Sequence, residues 1–257
     1  MFPGNKAIKQ TALASLSTVW SQCFAIAFVV FLMSVIPQLI YQGIVTALGE
    51  TVSTWLDYGY SVAVFFFNLF VTYPLLLGIF HWFWIVTTGE KASLALCFYY
   101  FSSKREYASS LRLSWTFAWR IGLLQIVAYI PDTVKYLLDL LPQSLFNDFL
   151  QNLIYIGSSA FILVITILIF VFTVLPLLPL PATIVNYRHD RFEDNIKEAK
   201  LISKGLQPRF IGFFITLLGW ALLTLFVIPM LFTVPYFFAC YAVLMRFAIH
   251  HQSKKFP

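Results

Sequence analysis

The chain has 257 residues, 60% of them hydrophobic, 19% aromatic and only 11% charged, with a mean hydropathy of +0.82. A soluble domain carries about 25% charged residues, so this composition excludes a water-facing globule. It points to an all-α, polytopic membrane bundle of about six transmembrane helices, organised as a single domain over 1–257. The formal net charge of +6 follows membrane topology and is not a nucleic-acid footprint.

No charged residue lies between Lys9 and Glu50, and a helix crosses a bilayer with about 20 apolar residues. The first span is expected at 19–41. It exceeds a signal-peptide core of about 7–15 residues and no small-residue cleavage site follows it, so it should stay in the mature protein. The second span is expected at 60–86. Asn68, near its middle, suits an interhelical hydrogen bond or a substrate contact. His81, within His81-Trp82-Phe83-Trp84, belongs to an interfacial aromatic belt. The run Leu94 to Phe101, enclosed by Ser93 and Ser103, is too short to cross and should lie in the inner interface.

The third span, 114–130, is closed by Pro131-Asp132 and carries Arg120. An ionisable residue inside a span is a functional candidate, and its long side chain has the alternative of snorkelling to the interface. The outer segment 132–152 reads as two interfacial helices. Val134, Leu137, Leu138 and Leu141 form one apolar face, and Leu145, Phe146, Phe149 and Leu150 after Pro142 form the other. The fourth span, 153–185, contains Pro176, Pro179 and Pro181 in its last third, each removing a backbone donor.

Between 186 and 209, Phe192, Ile196, Ala199 and Ile202 share one helical face. Asp190 can cap this helix, expected at about 190–204, and Gly205 can end it in the left-handed conformation. Glu193 and Lys197 are ordered for an ion pair. The helix either lies on the membrane or docks a partner through Phe192 and Ile196. The last apolar stretch, 210–245, would be ~54 Å long as one helix against a hydrocarbon core of about 30 Å. Pro229 and Pro235 therefore suggest a turn between two spans, 210–228 and 231–249.

Six spans with a cytoplasmic N-terminus place all 17 Lys and Arg residues inside except Lys135. Glu50, Asp57, Asp132, Asp139 and Asp148 gather outside. Both termini are then cytoplasmic, in a cell membrane whose anionic inner-leaflet lipids are the expected partners, together with a membrane or cytoplasmic protein and no nucleic acid.

No metal-protease HExxH, Gly-rich phosphate loop, nucleophile elbow or embedded carboxylate pair is present. Cys23, Cys97 and Cys240 are too scattered for a CxxC pair. No catalytic, metal or cofactor residue is therefore assigned. His189, His250 and His251 could meet Asp190, Glu193 and Asp194, but adjacent histidines diverge on a helix and a solvated face is the simpler reading. Three functions stay open: a non-enzymatic accessory or scaffold protein of the cell envelope, a permease-like component for a lipid or small amphiphile, and a membrane enzyme at the cytoplasmic face.

The last third carries Glu198-Ala199, Ser203, Lys204-Gly205, Phe210, Gly219-Trp220 and Pro235-Tyr236 leading to Tyr241-Ala242. Upstream stand Gly78, then Gly89-Glu90, and a basic N-terminal segment leading into Trp20. This order resembles a multi-pass bacterial membrane family, common in Firmicutes, catalogued as domain of unknown function nine-seven-five. The resemblance implies a bacterial plasma membrane and a helical bundle, with no reaction to carry over. It also implies that Gly219 permits close helix approach and that Pro235-Tyr236 marks a turn.

Overall fold

The computed structural model describes residues 2–48, 54–139, 148–187, 191–224 and 226–253. In chain order these form α1 (Asn5–Leu16), α2 (Trp20–Leu48), α3 (Thr54–Phe67), a π-helical turn (Asn68–Thr72), α4 (Tyr73–Val86) and a 3-10 helix (Leu94–Phe101). There follow α5 (Lys104–Ala128), α6 (Ile130–Asp139), α7 (Asp148–Thr173), a 3-10 turn (Leu175–Leu177), α8 (Leu180–Tyr187), α9 (Phe192–Ser203), α10 (Gln207–Ile215), α11 (Leu218–Leu223) and α12 (Val227–Ser253).

Five helical stretches among the described residues are long and apolar enough to cross a membrane: Trp20–Ala47, Gly59–Val86, Lys104–Leu138, Asn152–Tyr187 and Ile228–Ser253. The protein is an all-α membrane protein, as its composition requires. On α7, Leu153, Ile156, Phe161, Leu163, Ile167 and Phe172 are each more than half exposed. Lipid, and not water, is the solvent that tolerates such a surface.

Several spans differ in detail from the sequence expectation. Helix α5 begins at Lys104, not 114, because its serines do not interrupt it. The Ser110 and Ser114 hydroxyls donate back to the Tyr107 and Ser110 carbonyls at 2.7 and 2.8 Å, which shields them within an apolar helix. Pro131 does not close the span. It occupies the second position of α6, where an amide hydrogen has no helical partner. Phe149 and Leu150 belong to the first turn of α7 and not to an interfacial helix. Leu141, Leu145 and Phe146 lie outside the described residues, as does Glu50.

The proline run breaks the α-helical ladder within the fourth span: α7 ends at Thr173, a 3-10 turn covers Leu175–Leu177, and α-helix resumes at Leu180. The segment expected as a span over 210–228 consists of α10 and α11, separated where the Leu217 amide donates to the Phe214 carbonyl at 2.9 Å in a tightened turn. Neither helix alone is long enough to cross. No turn separates Pro229 from Pro235, because α12 runs through both. Pro229 stands in its first turn, where amides are unpaired anyway, and only Pro235 removes an internal donor. Tyr236 is accordingly helical.

The chain divides into two compact units: Met1–Ser114 with Pro179–Pro257, and Trp115–Leu178. In the first unit α12 is the central element, with Ala239, Cys240, Ala242, Leu244, Met245 and Ala248 fully buried. Its small residues permit close helix approach, and α1, α2, α4, α8, α9 and α11 all pack on it. Helix α1, read in the sequence only as a basic tail, docks through Ile8, Ala12 and Leu16, which lie one turn apart and are fully buried.

The 3-10 helix Leu94–Phe101 starts at Ser93, whose hydroxyl accepts from the Ala95 amide at 3.3 Å. Residues three apart eclipse in this geometry. Cys97 and Tyr100 therefore face inward, and Phe98 and Phe101 outward. The helix lies so close to α4 that a Cβ at Gly78 would sit 1.9 Å from the Cys97 carbonyl oxygen. Gly219, by contrast, has nothing within 4 Å of its would-be Cβ, so the close approach expected there occurs at Gly78 instead.

In the second unit α6 packs on α7. The Tyr155 hydroxyl donates to the Asp132 carboxylate at 3.1 Å, and the Lys135 ammonium lies 5.2 Å from the centre of the Tyr155 ring.

Candidate functional site

Asn68 opens the π-helical turn and is half-buried. Its carbonyl accepts from the Tyr73 amide five residues on, which marks the inserted residue of a π turn. Pro74 then brings no amide hydrogen to the Phe70 carbonyl one turn back, and the Tyr107 hydroxyl of α5 donates to that carbonyl at 2.9 Å. Arg120 belongs to the other unit. It lies sixteen positions after Lys104, ~24 Å along α5 and not two turns from its start. Its guanidinium donates to the Thr116 carbonyl, toward the helix N-terminus, and covers the Trp119 ring at 4.3 Å.

Helix α9 buries Asn195, Ala199, Ile202 and Ser203, leaving Phe192 and Ile196 half-buried at the edge of that face. Lys197 pairs with Asp194 at 3.0 Å and not with Glu193. Positions three apart are also neighbours on a helix. The N-cap position is Arg191, while Asp190 lies outside the described residues. Gly205 adopts φ +78°, the left-handed conformation expected of it.

Among the described residues of the first unit, three helix C-termini are capped by side chains from other helices. The last carbonyls of a helix have no internal donor and carry partial negative charge. Arg246 of α12 donates to the Thr87 carbonyl that ends α4. Lys9 of α1 donates to the Thr216 carbonyl that ends α10, at 2.9 Å. Gln252 of α12 uses one amide nitrogen against three carbonyls at the end of α9, reaching Leu201 at 3.0 Å, Ile202 at 3.3 Å and Lys204 at 3.0 Å.

Beside these caps a groove of about 450 Å³ opens between α1, α4, α8 and α12. Thr11, Asn186, Arg246, His250 and Ser253 supply its polar groups, and Trp84 and Phe247 are among its apolar walls. Among the described residues no carboxylate lines it. Arg246 escaped attention in the sequence, where it counted only as an inside charge. The available signal was its isolation: it is the one Lys, Arg, Asp or Glu between Arg209 and Lys254.

A second groove, of about 460 Å³, is apolar and runs between α2 and α3, where the Tyr41 and Tyr60 rings stack at 4.2 Å. Neither groove is lined by Asn68, Arg120 or residues 176–181. His250 and His251 diverge: His250 faces the first groove, and His251 meets the edge of the Phe2 ring at 5.9 Å. Among the described residues no three His, Cys, Asp or Glu side chains converge on a metal-sized space. His189, like Asp190, lies outside those residues.

Cys97 lines a small apolar cavity of about 120 Å³ with Ile26, Val29, Leu75 and Ile79. Burial pushes its thiol from an ordinary value near 9 up to about 11. The thiolate is the reactive form. With Cys23 and Cys240 replaced by Ala, maleimide at pH 8 should therefore label Cys97 only after denaturation. The folded-state value is the raised one, so the unfolded chain loses its proton first. Stability is whole below about pH 9 and falls as pH climbs toward 11. Rapid labelling of the native protein at pH 8 would contradict this burial.

Comparisons with family models, with curated proteins and with solved structures return no match.

Proposed function

We propose that this protein is a non-enzymatic accessory or scaffold protein of a bacterial plasma membrane, which presents α9 to a protein partner on the cytoplasmic side. The observation that carries the reading is the Gln252 clamp on the end of α9. It holds the helix in one pose while Lys197, Lys200, Leu201 and Lys204 stay exposed. This outward face, basic around Leu201, suits an acidic partner surface or anionic lipid. Cytoplasmic location of both ends needs an even number of crossings, with α10 and α11 together making the sixth, and is supported by the distribution of basic residues and by the contact between Phe2 and His251. Kinship with the nine-seven-five family rests on the order of its motif residues in the sequence, from Glu198-Ala199 to Tyr241-Ala242.

Crosslinking and pull-down from native membranes tests the scaffold role. A stable partner should be recovered with the parent chain and lost when Phe192 and Ile196 become Ser, or when Leu201 becomes Asp. Unchanged recovery with both variants rejects the proposal.

A second reading, a permease-like component for a lipid or small amphiphile, draws support from the interruption between Thr173 and Leu180, since transporters place substrate at discontinuous helices. Lipid flux across vesicles that requires the reconstituted protein would favour it over the first.

A further inference from the structure

The groove bounded by α1, α4, α8 and α12 combines a fixed cation with unengaged polar groups. Arg246 has one guanidinium nitrogen on the Thr87 carbonyl, and the remaining N–H groups of that planar fork match two oxygens of a phosphate or carboxylate. Glu90 is the carboxylate among the described residues with electrostatic influence on Arg246, and it is not part of the groove lining. Among the described residues neither the Asn186 amide nor the His250 imidazole has a hydrogen-bond partner. The Thr11 and Ser253 hydroxyls donate within their own helices, to Ala7 at 2.9 Å and His250 at 3.0 Å, and keep acceptor lone pairs only.

A binding cleft with few convergent polar groups and apolar walls has the character of a small-ligand site, for which volumes of about 300–1,000 Å³ are usual. Here the cation, with no carboxylate among the described lining residues, selects a negative group. Trp84, Phe247 and Ile249 offer it an apolar flank. The Thr87 carbonyl holds the guanidinium in place beforehand, so little side-chain entropy is lost when an anion arrives.

We propose that the groove of Arg246, His250 and Asn186 binds a phosphate ester of net negative charge, with Arg246 on the phosphate oxygens and Asn186 and His250 as further donors. The chemistry is shared by the headgroup of an anionic phospholipid and by a soluble glycerol phosphate. The proposal stands apart from the scaffold reading, because its test leaves α9 unchanged.

The test uses the full chain in detergent, titrated with dioleoyl phosphatidylglycerol or phosphatidylcholine and read by native mass spectrometry. Glycerol 1-phosphate is titrated separately and read by thermal shift. Phosphatidylglycerol should be retained over phosphatidylcholine. Asn186→Asp should weaken that binding about tenfold through charge repulsion, and His250→Ala about threefold through loss of a donor. Both side chains are exposed, so the melting midpoint without ligand should not move. Arg246→Gln should abolish binding, but it also uncaps α4, so the other two variants decide. Binding of phosphatidylglycerol alone assigns the site to a lipid headgroup, and equal binding of glycerol 1-phosphate assigns it to a soluble ester. Equal retention of both lipids, or undiminished binding by Asn186→Asp and His250→Ala, overturns the proposal.

Discussion

Replacing Gly78 by Ala should lower the melting midpoint of the detergent-solubilised protein by about 10 °C, from a destabilisation of ~3 kcal/mol or more. The added Cβ would lie 1.9 Å from the Cys97 carbonyl oxygen, 2.7 Å from its carbon and 3.2 Å from its Cα. All three are backbone atoms, so no flexible side chain can move aside. Either α4 and the 3-10 helix separate, exposing Cys97 and Tyr100, or the 3-10 helix loses its register. Gly122→Ala is the matched control: nothing lies within 4 Å of its Cβ, and Ala is the better helix former. Its midpoint should stay or rise. Equal midpoints for Gly78→Ala and Gly122→Ala would show that the helices are not in backbone contact. A thermal melt followed by size-exclusion chromatography distinguishes the outcomes, and maleimide labelling of Cys97 reports which contact opened.

The second large effect is expected at Gln252. Its amide nitrogen is the donor for the Leu201, Ile202 and Lys204 carbonyls, and Gln252→Glu replaces that donor with a negative group facing the same oxygens. The unmet carbonyls, buried at Ile202 and part-buried at Leu201 and Lys204, and the added repulsion together cost ~3 kcal/mol, about a hundredfold in the equilibrium for detaching the end of α9. Trypsin should then cleave after Lys197, Lys200 or Lys204 far sooner than in the parent chain, provided cleavage tracks the open population. Gln252→Leu should show a smaller increase, because it removes the donor without adding charge. Identical proteolysis of all three chains would mean that α9 is held by its apolar face alone.

Much of the fold was legible where a single physical cause dominates. The run Leu94 to Phe101 has the bounds of its helix because serines flank an apolar stretch too short to cross. Gly205 ends α9 because glycine enters the left-handed region at no steric cost. Helix α1 was not legible: its stripe of Ile8, Ala12 and Leu16 is narrow, and Lys6 and Lys9 make the segment look like a basic tail. Nor was the course of α12, since Pro229 and Pro235 read locally as turn markers, whereas packing on several sides keeps that helix intact. The candidate groove was hidden for another reason. Thr11, Trp84, Asn186 and Arg246 come from four helices far apart in the chain, and no periodicity or spacing records that they meet. Asn68 and Arg120 were singled out because they interrupt apolar spans; the Asn68 backbone carbonyl closes a π turn, and the Arg120 side chain donates to the Thr116 carbonyl.

The first unit is assembled from two stretches of polypeptide with the whole second unit between them. During synthesis α1 leaves the ribosome long before α12 exists to receive Ile8, Ala12 and Leu16. Its sticky stripe must therefore wait on the bilayer surface or on an insertion factor. The early spans Trp20–Ala47 and Gly59–Val86 can enter the membrane first, but the caps donated by Arg246 and Gln252 arrive only with the last turns of α12. Completion of this unit thus waits for α12, and a nascent chain stalled before Arg246 should be a ready substrate for membrane quality-control proteases.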